Sequence, residues 1–139
     1  MRRIVELQQT ALEFRRIAQH AATMAEHAQA LGSSVELPLM RADCPDPSVL
    51  RRIVRQAYLL VRGAVIICAT RDTARARLLA REDTLLDLLS SSLREQVEVA
   101  IHAHPLQAFP LQRVVLIGAE MEAIGNRAAS ICNAILATR

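Results

Sequence analysis

Apolar residues recur at three- and four-residue spacing along most of this chain, the pattern of amphipathic helices separated by short breaks. The first predicted helix runs from about Arg3 to Leu31, with Ile4, Leu7, Ala11, Phe14, Ile17, Ala21, Met24, Ala25 and Ala28 as its inward stripe. Gly32-Ser33-Ser34 stops it, and a connection containing Pro38 and Pro45 follows. Asp46-Pro47 starts the second helix, because the carboxylate caps free backbone N–H groups and proline loses nothing in a first turn. Its stripe is Leu50, Ile53, Val54, Ala57, Leu60, Val61, Ala64 and Cys68, with Arg51, Arg52, Arg55 and Arg62 mostly outside it.

Asp72 is placed to cap a third helix that continues to about Ala103 through Ala76, Leu79, Leu86, Leu89, Leu93, Val97, Ala100 and Ile101. His104-Pro105 ends it. Phe109-Pro110 opens the last helix, Leu111 to Arg139. Four such helices in sequence predict an all-α, antiparallel up-and-down bundle.

Composition sharpens this picture. Hydrophobic residues make up 52% of the 139 residues but aromatics only 2%, so the core must be aliphatic. The apolar runs around Tyr58 to Ala69 and Val114 to Ala119 are short and bounded by charge, and no membrane-spanning segment or secretory leader is expected. Cys44, Cys68 and Cys132 are odd in number and far apart, which reads as reduced cytosolic thiols, so a cytoplasmic location is expected. Seventeen basic residues stand against 14 acidic ones, all the basic residues being arginine. The modest excess allows a nucleic-acid-binding reading. Without clustered arginines, a helix-turn-helix or stacking aromatics, that reading ranks last.

The chain also repeats itself. Shifting the sequence by 107 positions lays Phe14–Glu26 over Met121–Asn133, with Ile17/Ile124, Ala21/Ala128 and Ala22/Ala129 identical and Glu13 meeting Glu120. Several polar positions correspond too. Both segments resemble the closing helix of each repeat in the PhoU family of phosphate-uptake regulators, Leu-Glu-Arg-Ile-Gly-Asp-His-Ala-x-Asn-Ile-Ala-Glu. The first keeps Arg16, Ile17, His20, Ala21, Ala25 and Glu26; the second keeps Glu122, Ile124, Gly125, Ala128 and Ile131. Arg71-Asp72 and Ala80–Asp87 look like the turn and second helix of such a repeat.

On that resemblance, residues 1–31 match the end of a first repeat, 32–46 a linker, and 47–139 a complete three-helix second repeat. The resemblance implies a cytoplasmic, non-enzymatic adaptor between a phosphate ABC transporter and a sensor histidine kinase. It also implies metal ligands at Asp83, Asp87, Glu122 and Asn126, and hard oxygen donors of this kind suit iron, zinc, manganese or magnesium. Asn126 brings no charge, and Arg15 and Gln19 stand where the first repeat would have carboxylates.

Read from the residues alone, Asp83 and Asp87 lie one turn apart on a solvated helix face, and the second reading of the chain, after the PhoU-like one, is an interaction module that has kept the fold and lost its metal. His20 and His27 could share a face, and His102 and His104 end a helix; none is assigned a role. Ser90, Ser91 and Ser92 point different ways and form no nucleophilic centre. A first helix lacking its neighbours should expose an apolar stripe, which predicts self-association, most simply a two-fold homodimer.

Overall fold

Two residues separate the second and third helices. α1 (Arg2–Leu31), α2 (Val49–Thr70), α3 (Thr73–Ala103) and α4 (Ala108–Ala137) make up the computed structural model, which describes residues 1–32 and 48–138. The start proposed at Asp46-Pro47, and Cys44, lie outside the described residues. Arg71 ends α2 in the left-handed region (φ 60°), its N–H donating to Ile67 O at 2.8 Å. Asp72 then caps α3 as expected, its carboxylate accepting from the Arg75 N–H at 3.0 Å. The reversal makes α2 and α3 an antiparallel hairpin. After His104 a single 3₁₀ turn, Pro105–Gln107, leads into α4, which starts at Ala108 with Pro110 in its first turn.

The all-α helical bundle is therefore as the periodicity predicts, with α4 at its centre: α2 and α3 pack on each other and on α4. Ile53, Leu60 and Ile67 from α2, Leu86 and Leu93 from α3, and Leu111, Val114, Ile131 and Ile135 from α4 form the buried core. Two glycines set how closely α3 approaches α4. A Cβ on Gly118 would lie 2.7 Å from Leu93, and one on Gly125 only 2.2 Å from Leu86, so each glycine is a notch for a leucine. α2 alone among the described helices is long and apolar enough to cross a membrane by length and composition, with a mean hydropathy of 1.5, which the sequence reading did not anticipate. Its Ile53, Ala57, Leu60, Ala64 and Ile67 face is packed in the core.

α1 departs from expectation. Among the described residues α4 is the only helix packed along it, and the predicted stripe turns inward only in part: Ile17 is buried and Phe14, Ala21 and Met24 pack against the core, but Ala11, Ala25 and Ala28 are exposed. Glu6, Thr10 and Ile17 are buried, while Ile4 and Leu7 remain 61% and 58% exposed. The reason lies in α4, which presents Arg113, Glu120 and Arg127 to this side; covering those groups without partners would cost more than leaving a few aliphatic side chains in water.

At one end of the bundle Glu6, only 2% exposed, ties three elements together. Its carboxylate accepts two hydrogen bonds from the Arg71 guanidinium, one of them at 2.9 Å, and another from the Thr138 hydroxyl. The Arg71 bonds hold the Glu6 carboxyl below the ordinary carboxylate range, against the opposing effect of burial. Because the folded value is depressed, this contribution is fully present above the unfolded value near 4.5 and is lost as pH falls through the lower folded one. Arg71→Ala is expected to cost about 2 kcal/mol, below the range for fully buried pairs because the Arg71 side chain is 40% exposed. Arg71→Gly should cost about 1 kcal/mol less than Arg71→Ala, glycine being free of the left-handed penalty. Urea denaturation at neutral pH and in increasing acid checks both: the loss common to the two variants should fade as Glu6 is protonated, while the difference between them, set by the backbone, should persist.

Candidate functional site

The four residues of the acidic pattern come to one face between α3 and α4. Asp83 is half-buried on α3, with Asp87 exposed one turn later; Glu122 and Asn126 occupy successive turns of α4. The Asn126 amide faces Asp83, and in the orientation that places its nitrogen there, the one that matches donor to acceptor, it donates to both Asp83 oxygens at 2.8 and 3.2 Å. Glu122 is turned toward Arg94, whose guanidinium donates to it at 3.4 Å. Gly125 makes room for this arrangement, since a Cβ there would stand 3.3 Å from an Asp83 oxygen as well as against Leu86.

Burial pushes the Asp83 carboxyl above its ordinary value, and the charges of Asp87 and Glu122 push it the same way. These groups therefore sense one another across the helix pair. Among the described residues, however, no three His, Cys, Asp or Glu side chains converge closely enough to hold an ion. In this arrangement Asn126 satisfies Asp83 and Arg94 satisfies Glu122, so the face works as a polar clamp between α3 and α4. Arg15 and Gln19, the counterparts of Glu122 and Asn126, are exposed on α1.

A second polar constellation, between α1 and α4, was not foreseen. His20 Nδ1 lies 2.6 Å from a Glu120 oxygen. Arg113 lies 2.9 Å from His27 Nδ1 and also covers the Phe109 ring at 5.1 Å. Glu13 meets Arg127 at 3.6 Å and Arg16 at 3.3 Å. Glu13, His20 and His27 are seven apart on α1, as Arg127, Glu120 and Arg113 are on α4, so the contacts are successive rungs of an antiparallel pair. His20 and His27 do share a face; its partner was invisible because it sits about a hundred residues away. The signal that could have found it is that heptad of charged residues recurring on two helices.

The rungs also give the internal similarity a spatial meaning. The 107-position shift carries Glu13 onto Glu120 and His20 onto Arg127, so it exchanges the Glu13–Arg127 rung with the Glu120–His20 rung. The two similar segments are thus related by an approximate two-fold axis between α1 and α4.

Neither described cysteine offers a reactive thiol. Cys132 is fully buried and its pKa is pushed up to about 11 by that burial; burial also raises Cys68, with Glu6 adding to the effect. No family model matches the sequence, and no curated protein or solved structure matches it either.

Asp83→Asn should raise the melting temperature at neutral pH, because it removes a disfavoured charge and keeps an acceptor for Asn126. Since the folded value of Asp83 is raised, the advantage of the variant is largest above that value and shrinks as pH falls through it toward 3.8. Parallel melts of both proteins across the acid range would show a constant difference if Asp83 were unperturbed.

Proposed function

We propose that this chain is a non-enzymatic adaptor of the PhoU kind, acting through contacts with other proteins, with the Asp83–Asn126 clamp standing where the family resemblance puts a metal cluster. The observation that carries this reading is the antiparallel pairing of the two similar segments about an approximate two-fold axis. Two related helical units joined through their closing helices would present such a pair. Here α4 keeps α2 and α3 as its neighbours, while among the described residues α1 packs along no helix but α4 and touches the α2–α3 turn through the Glu6–Arg71 pair. The resemblance points to a phosphate ABC transporter and a sensor histidine kinase as the partners, and to control of the phosphate-starvation response as the role.

The clamp reading concerns the metal. Protein purified without an affinity tag, and again after reconstitution with iron, zinc or manganese, is expected to carry no stoichiometric metal by mass spectrometry, like an Asp83→Ala/Asp87→Ala variant. Stoichiometric metal that disappears in the variant would replace the clamp with a working cluster. The regulatory role is checked separately. Deleting the gene should raise phosphate-starvation transcripts in phosphate-replete medium, and unchanged transcripts would reduce the chain to an interaction module with no part in phosphate signalling.

A further inference from the structure

The polar rungs turn one face of α1 toward α4 and thereby leave a neighbouring face largely uncovered among the described residues. That face carries Ile4, Leu7, Ala11, Phe14, Ala18, Ala21, Ala25 and Ala28, apolar without exception and spaced alternately by three and four residues, the seam of a helix that packs on another helix. Ile4 and Leu7 are more than half exposed, Ala11, Ala18, Ala25 and Ala28 are exposed, and Phe14 and Ala21 are half-buried, one side of each packed against the core and the other at the surface.

The 107-position shift lays this seam over Leu111, Val114, Gly118, Met121, Gly125, Ala128, Cys132 and Ile135, all of them buried in α4. An obvious occupant is a second hairpin like α2–α3. The seam argues against it. Ala11 and Ala18 stand where α4 has Gly118 and Gly125, the two notches in which a Cβ would collide with Leu93 and Leu86. A hairpin of that design could not seat as closely on α1.

We propose instead that α1 packs antiparallel on the α1 of a second copy, so that the seam becomes a two-fold dimer interface. Its large side chains lie in the first half, at Ile4, Leu7 and Phe14, and its second half is alanine throughout, at Ala18, Ala21, Ala25 and Ala28. In antiparallel register each large residue meets a small one: Ile4 faces the partner's Ala28, Leu7 the partner's Ala25, and Phe14 the partner's Ala18. Ala11 faces the partner's Ala21. Such large-to-small matching lets two helices approach closely, and it makes the surface complementary to itself, as a two-fold interface requires. A parallel pairing would set Phe14 on Phe14 at one end and leave alanine on alanine at the other, with crowding and voids together.

Area sets the strength. A seam of this length is about 36 Å long and ~10 Å wide on each copy, roughly 700 Å² in all, below that of a permanent dimer and in the range of transient association. Charge modulates it. The axis passes near residue 16, so Arg15 comes closest to the partner's Arg15, an exposed like-charge pair that salt screens. Association should therefore tighten with added salt, and Arg15→Gln should tighten it at low salt.

The inference rests on the α1 seam and not on the PhoU-like reading, so metal content and transcript levels leave it untouched. Sedimentation equilibrium of the full chain from micromolar to millimolar concentration is expected to show a reversible dimer. Ala18→Trp should weaken the dimer by about 100-fold, because each copy would force an indole against the partner's Phe14 where the register leaves room for a methyl group, and should leave helix content by circular dichroism unchanged. The register is tested by mild oxidation in a Cys44→Ser/Cys68→Ser background that keeps the buried Cys132. Ala11→Cys together with Ala21→Cys should give a covalent dimer, and neither change alone should. A monomer at every concentration, an Ala18→Trp chain that dimerises as before, or cross-linking through Ala11→Cys alone would each overturn the proposal, the last in favour of parallel packing.

Discussion

The architecture depends on α4 having two different neighbours on two sides. One side is an aliphatic seam notched at Gly118 and Gly125, into which Leu93 and Leu86 fit; the other carries Arg113, Glu120 and Arg127. Apolar burial against α2 and α3 is non-directional and provides most of the cohesion. The charged side contributes little net energy, since desolvation offsets much of the attraction in partly exposed pairs. Its effect is to decide which helix face may lie there. That requirement rotates α1, and the rotation determines which of its residues meet solvent.

The local elements were legible because their signals are local. Asp72 as a cap, the stop before Pro105 and the stripes of α2 and α3 each need only neighbours in sequence, and they match the fold except at Val54, which lies exposed beside the buried Ile53. The orientation of α1 was not legible. The rule that the most apolar stripe is the buried one holds when a helix has neighbours all round; here it holds for Phe14, Ile17, Ala21 and Met24 and fails for Ile4 and Leu7. Glu6 and Glu13 look like ordinary solvated acids until Arg71, Thr138 and Arg127 are known to lie beside them.

The acidic site was legible to a similar depth. One-turn spacing puts Asp83 with Asp87, and the resemblance adds Glu122 and Asn126; all four do share a face. What each group does there depends on contacts that spacing does not encode. The Asn126 amide closes on Asp83, and Arg94 reaches Glu122 from two turns further along α3. A set of ligands and a polar clamp are the same residues under different pairings.

The heptad spacing of the rungs bears on how the chain avoids misassembly. Two helices whose contacts repeat every seven residues can slide by one repeat and still match apolar layers. Here a slip in one direction would set Glu13 against Glu120, acid on acid, and in the other would set Glu13 against Ala134 and His20 against Arg127, so that either way the Glu13–Arg127 ion pair is lost. The rungs act as a key that fits at one position along the helix, which is how pairs of little energetic worth can still fix where a thirty-residue helix comes to rest.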